Sequence, residues 1–210
     1  MSPLTTVVVD IGIGNLRSVA KALEIAGEGR ARVVRSRDPD AVRRADRVVV
    51  PGQGAFDAVA KGLAGPLQES LAESVQGGVP YLGICLGLQV LFEGSEEAPG
   101  VPGFGWMRGQ VRKLAGGPGL KIPHMGWNQL ELHGGVQREL GAVGGDGAWV
   151  YFVHSFHAVP EDPAVLRASV GYGPNRVTAA VARDNVLGTQ FHPEKSQGAG
   201  LALLASFLKG

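Results

Sequence analysis

The stretch LGICLGLQ, residues 82–89, carries an apolar run through two glycines and the only cysteine of the chain into a helical pattern. A strand that passes through G-I-C-L-G into a helix has the layout of a nucleophile elbow, in which a reactive side chain occupies a strained turn above the edge of a sheet. A side chain at position 83 or 87 would collide with neighbouring backbone, so glycine suits both places. A helix starting at Leu86 would stabilise an anion at Cys85. The same residues also fit a small apolar cysteine that fills a core, and this stretch alone leaves both readings open.

Outward from that point, the first half of the chain alternates. TTVVVD (5–10), ARVVRS (31–36), DRVVV (46–50) and VPYLGI (79–84) read as buried strands. Between them lie helical patterns at 15–27, 38–45, 55–63 and 66–76, with Asp38 as N-cap and Pro39 in the first helical position. The elbow then continues as a helix over LGLQVLFE (86–93). Short apolar strands alternating with helices imply a parallel sheet covered on both faces, with ligands beyond the carboxyl ends of its strands. After about residue 100 the rhythm becomes antiparallel or mixed: WMRGQVRKL (106–114), WVYFVHSF (149–156), VLRASVGY (165–172) and VTAAVARDNVLGTQFH (177–192), where Asp184-Asn185 marks a hairpin. A final helix covers 198–210. The expected fold is α/β, an open and mostly parallel sheet flanked by helices with an additional antiparallel portion in the second half. With no repeat and no linker, residues 1–210 read as one domain.

Bulk properties narrow the function. Twenty basic and nineteen acidic side chains give a net charge of +1, and the arginines are scattered, which argues against nucleic acid and anionic membrane as partners. No apolar run approaches the ~18 residues of a membrane span, and the opening MSPLTTVVVD lacks a basic leader, so a cytoplasmic protein is expected. A single cysteine excludes an internal disulfide and a multi-cysteine zinc site.

If Cys85 is a nucleophile, its thiol, with an ordinary pKa of ~8.5, needs a base. His192 in TQFHPEKS ends an apolar strand and is followed at i+2 by Glu194. In an extended segment both point the same way, with Pro193 keeping the segment extended, so the carboxylate can hold the imidazole's tautomer. Taken alone, H-P-E is equally an ordinary strand exit. VPGQGAF (50–56) sets glycines around Gln53 after the third strand; such a loop can aim N–H groups at an oxyanion, with the Leu86 N–H as second donor, or it is a plain turn. GIGN (12–15) has Arg17 where a dinucleotide fingerprint needs its third glycine, so no nucleotide is expected there. His154 and His157, three apart in a strand pattern, face opposite sides and make a poor metal pair. KIPHMGWNQL (121–130) is too irregular for a helix and is either a core insertion or a partner-binding face, composition favouring the core.

Together, PGQGAF, GICLGLQ and TQFHPEKS resemble the class I glutamine amidotransferases in order and spacing. With GIGNLRSVAKALE, FEGSEEAPG, KIPHMGWN and YFVHSFHA, the chain is similar from about residue 5 to residue 208 to glutaminase subunits of imidazole glycerol phosphate synthase. The resemblance implies a catalytic triad of Cys85, His192 and Glu194 and an oxyanion loop of Gly52, Gln53 and Leu86. It implies glutamine binding by Gly54, Gln89, Glu97 and Ser155, with no cofactor and no metal. It further implies a barrel-shaped cyclase as heterodimer partner in histidine biosynthesis, faced by Asn15, His124, Met125 and Trp127. Gln53 departs from the family pattern, which commonly has valine there. A glutaminase of another synthase, such as that for anthranilate or aminodeoxychorismate, is the nearest alternative, and KIPHMGWN speaks against it. A non-catalytic interaction module on the same fold is the other.

Overall fold

The computed structural model describes residues 3–134 and 138–209. In the first half, strands β1 (Leu4–Val9), β2 (Ala31–Ser36), β3 (Arg47–Gly52) and β4 (Tyr81–Cys85) alternate with helices α1 (Leu16–Gly27), α2 (Pro39–Arg43), α3 (Phe56–Leu63) and α4 (Pro66–Gln76). A short helix α5 (Leu86–Gln89) follows β4 directly. The second half contributes β5 (Gly94–Ser95), β6 (Gly109–Lys113), β7 (His124–Gln129), β8 (Glu131–Leu132), β9 (Trp149–His154), β10 (Phe156–Pro160), β11 (Leu166–Tyr172), β12 (Asn175–Arg183) and β13 (Val186–Thr189). It also holds the turn-length helix α6 (Arg138–Gly141) and the closing helix α7 (Gln197–Lys209).

Eight strands form the main sheet in the order β2-β1-β3-β4-β13-β12-β11-β8. The pairings from β2 through β13 are parallel, and β12, β11 and β8 add an antiparallel edge. This matches the architecture expected from the sequence. The central strands β1, β3, β4 and β13 are mainly apolar and mostly buried because both faces are covered there. Val8, Val49 and Leu82 pack toward Leu23 of α1 and Leu203, Leu204 and Phe207 of α7. Val7, Val9, Val48 and Val50 face Phe56 and Leu63 of α3 and Leu71 of α4. Each such fully buried side chain contributes roughly 1.5–3 kcal/mol from burial of apolar area.

Two smaller sheets sit on this frame: β10-β6-β5, and a ribbon of β7 and β9 in antiparallel register from His124↔His154 to Gln129↔Trp149. The KIPHMGWNQL segment is thus a strand with alternating burial, and not a core insertion. His124 is 2% exposed whereas Met125 and Trp127 are 62% and 42% exposed. Expected with them on a partner-facing surface, His124 instead points inward, stacked on Phe152 and Tyr172, because successive side chains of a strand take opposite faces.

Two further expectations are corrected. The helix after Cys85 ends at Gln89 and not at Glu93. Val90, Leu91 and Phe92 are fully buried and leave no polar face for a longer helix, and Glu93 exchanges backbone bonds with Gly103 and Gly109. The segment after His192 is not extended: Pro193–Lys195 coils into a 3-10 turn. Helix α7 closes on that turn, and a Cβ at Gly200 would stand 1.9 Å from the carbonyl oxygen of Pro193.

Candidate active site

Adjacent parallel strands β3 and β4 end side by side, Gly52 opposite Cys85, so the loop after one and the turn after the other open on the same edge of the sheet. The turn at Cys85 is tight enough that only glycine fits on either side. A Cβ at Gly83 would lie 2.2 Å from the Gly87 carbonyl oxygen, and one at Gly87 would lie 1.8 Å from the oxygen of Val50. Cys85 itself takes φ 56° and ψ −107°, a conformation that an L-residue adopts only where the surroundings enforce it. The elbow layout read from LGICLGLQ is therefore present in its backbone.

Around Cys85 opens a cleft of about 390 Å³. Of the residues singled out in the sequence, Gln53, Gly54, Cys85, Leu86, Gln89, Glu97, Ser155 and His192 line it. Gly52 stands behind the loop, where a Cβ would meet Leu86 at 2.6 Å. Gly54 holds φ +92°, a value that favours glycine, and so fixes the loop between β3 and α3. Glu97 also accepts a hydrogen bond of 2.8 Å from the backbone N–H of Phe56, which ties it to the start of α3. Lys195, His154 and Phe156 line the cleft as well, and the sequence did not mark any of them for it. Of the residues expected at a partner surface, Met125 and Trp127 stand on the exposed face of the ribbon, and Asn15 is half-buried at the start of α1.

His192 reaches the cleft from the end of the β13 segment. Its Nδ1 lies 2.8 Å from Glu194 Oε1, and both side chains are almost fully buried. The 3-10 turn brings the carboxylate under the ring; alternation in an extended strand does not. Nε2 has no oriented hydrogen-bond partner among the described residues, and His192 shares the cleft with Cys85. Burial acts to lower the His192 pKa, but interaction with the Cys85 thiol and the Glu194 carboxylate outweighs it and raises the value to about 9. The backbone of His192 is held from the ribbon: its N–H donates to Tyr151 O, while Ser196 Oγ donates to His192 O and accepts from Tyr151 N–H.

A second polar group beside Cys85 was missed. Gln190, fully buried, has Nε2 3.5 Å from Cys85 Sγ and Oε1 3.0 Å from Gln89 Nε2. Its one signal in the sequence is a long polar side chain two positions before His192, next to Thr189 in a mainly apolar strand exit.

A family model described as glutamine amidotransferase class-I matches residues 7–209. The chain is 47% identical over 209 residues to the imidazole glycerol phosphate synthase subunit HisH of Thermosynechococcus vestitus, covering 99% of this chain and 98% of that one. It is 49% identical over 208 residues to the protein of the same name from Rhodospirillum rubrum, covering 96% of each. Among solved structures, PurLQS from Thermotoga maritima superposes with a TM-score of 0.74 over 100% of this chain and 99% of that one, at 22% identity, which bears on the fold alone. With the family model matched over almost the whole length and an elbow cysteine and a carboxylate-bound histidine lining one cleft, the chain belongs to the class-I glutamine amidotransferase family.

Proposed function

We propose that residues 1–210 make up a single glutamine amidotransferase domain, the glutaminase subunit of an imidazole glycerol phosphate synthase in histidine biosynthesis. The observation that carries this reading is Cys85 on its forced turn, sharing a cleft with an imidazole whose far nitrogen is bound to a buried carboxylate. Relatives at 47% and 49% identity over nearly the full length support the choice of synthase.

In this reading the Cys85 sulfur attacks the side-chain amide carbon of glutamine. His192 takes the thiol proton and gives it to the departing nitrogen, releasing ammonia and leaving a glutamyl thioester. His192 then accepts a proton from water as the water attacks the thioester, and glutamate leaves with Cys85 restored. Glu194 holds Nδ1–H of His192 and stabilises its charged form without itself changing protonation. The oxyanion of each tetrahedral intermediate is taken by N–H groups of the Gly52-Gln53 loop and of Leu86. Gln89, Glu97, Gly54 and the backbone at Ser155 hold the amino-acid head of glutamine. Gln89 Oε1 has no partner among the described residues, which leaves an acceptor for a substrate ammonium.

Ammonia released into water becomes ammonium and loses its nucleophilicity, so the product needs a dedicated acceptor. A barrel-shaped cyclase subunit in the cytoplasm fills that role, docking on the face that carries Met125 and Trp127 and also meeting Asn15. The histidine that anchors the site is tied through Tyr151 and Ser196 to the same ribbon, which gives a docked partner a mechanical route to the cleft. Glutamate release is measured with and without a cyclase loaded with its ribotide substrate. The expected result is low activity alone, strong activation in the complex, and none with Cys85→Ala. Turnover by Cys85→Ala equal to that of the unaltered chain would overturn the mechanism.

A further inference from the structure

The orientation of the Gln190 amide is set by a backbone group two links away. Phe156 O is an acceptor only, and Gln89 Nε2 lies 2.9 Å from it, so the Gln89 amide must turn its nitrogen that way. The other hydrogen of that nitrogen meets Gln190 at 3.0 Å, so the atom of Gln190 it meets has to be oxygen. The Gln190 nitrogen is then the atom left to face Cys85 Sγ at 3.5 Å. Phe156 O is itself fixed from the other side, where His154 Nδ1 donates to it at 2.9 Å. That tautomer leaves His154 Nε2 to accept from His124 Nδ1 at 3.1 Å. Both histidines are kept neutral by burial, with pKa values of about 3 and about 4. Every donor and acceptor in this buried chain therefore has one consistent direction, and it ends in an N–H pointing at sulfur.

We propose that Gln190 is a positioning residue of the glutaminase reaction, donating a hydrogen bond to the Cys85 sulfur while its carbonyl locks the amide of Gln89. The donor favours the thiolate over the thiol, because a hydrogen bond to the charged form stabilises that form. The carbonyl keeps Gln89 Nε2 engaged between Phe156 O and Gln190, and so leaves Gln89 Oε1 as the acceptor for the amino-acid head of the substrate. One amide thus prepares both the nucleophile and the substrate contact. The inference rests on the reading of Cys85 as nucleophile.

Two variants separate the two roles. Gln190→Glu retains an acceptor for Gln89 but replaces the donor at sulfur with a carboxylate oxygen; Gln190→Met keeps the shape and removes both. The pH profile of Cys85 alkylation by iodoacetamide, which needs no turnover, should move its midpoint upward in both. With the cyclase present, Gln190→Glu should lower kcat about tenfold with little change in KM, and Gln190→Met should lower kcat and raise KM, each about tenfold for a hydrogen bond worth about 1.4 kcal/mol. In the unaltered chain, the Gln190 side-chain amide resonances should shift along the thiol titration, a measurement independent of whether either variant folds. Unmoved amide resonances, or folded variants with the original alkylation profile and the original kcat and KM, would overturn the proposal. Failure of the glutaminase reading would show separately, as an unaltered chain that alkylates normally yet does not hydrolyse glutamine with its partner.

Discussion

At the scale of single residues, contact distance decides which side chains the elbow tolerates. Gly87→Ala would drive a Cβ into the carbonyl oxygen of Val50, which is backbone and has no rotamer to yield, so a loss of about 3 kcal/mol or more is expected, read as a lowered midpoint in urea unfolding. Cys85→Ala removes no packing of that kind and relaxes nothing at the neighbouring glycines. It should leave the fold intact while lowering the His192 pKa well below about 9, since burial then acts against a single remaining partner, Glu194. Histidine NMR titration of the two proteins checks this, and an unchanged His192 would refute the coupling of sulfur and ring. Cys85, His192 and Glu194 could be picked out as candidates from residue type and motif. Gln190 could not, because its significance comes from which way an amide faces, and that is set by Phe156 through Gln89.

At the scale of elements, short-range chemistry explains most of what forms. Asp38 caps α2 by accepting from the N–H of Asp40 at 3.0 Å, with Pro39 following as expected, so Asp38→Ala should cost about 1 kcal/mol of stability. The Asp184-Asn185 hairpin also forms where the sequence placed it, with Asp184 at φ 52°. Asn185 does more than turn the chain. Its Nδ2 donates to Val75 O at 2.9 Å and Val79 O at 2.7 Å, fastening the hairpin to the segment that leads into β4. Asn185→Ala is therefore expected to destabilise by about 1–2 kcal/mol, and hydrogen exchange should show β13 and β4 loosening together. Two of the elements that differ from expectation are shaped by what packs around them. Helix α5 stops early because its continuation is buried on all sides, and the turn after His192 coils because Ser196 and α7 draw it in.

Over the whole molecule, buried histidines set a pH dependence of opposite signs on either side of neutrality. Burial keeps His124 and His154 neutral, with values of about 4 and about 3, and His157 is lowered for the same reason. Below the ordinary value of 6.5 the unfolded chain takes up protons that the native state refuses, so stability falls as the pH drops through that window. His192 is raised to about 9 and works the other way: its contribution is complete below about 6.5 and is lost as the pH rises through about 9. Urea unfolding across pH 5 to 9.5 should therefore show a histidine-dependent maximum near neutrality, and His192→Gln should flatten the alkaline side. Among the described residues no helix is long and apolar enough to cross a membrane, and the exposed Met125, Trp127 and Trp149 project from the β7–β9 ribbon. By itself the sequence determined the strand and helix alternation up to Cys85, the glycines of the elbow, the hairpin and the family, because each depends on periodicity, sterics or spacing within a few residues. Only the tertiary structure decided that His124 faces inward, that Glu194 reaches His192 through a coiled turn, and that Gln190 meets Cys85 across 105 positions. Those outcomes depend on which distant segments are brought against one another, and no local pattern encodes the direction in which a buried amide or imidazole must point.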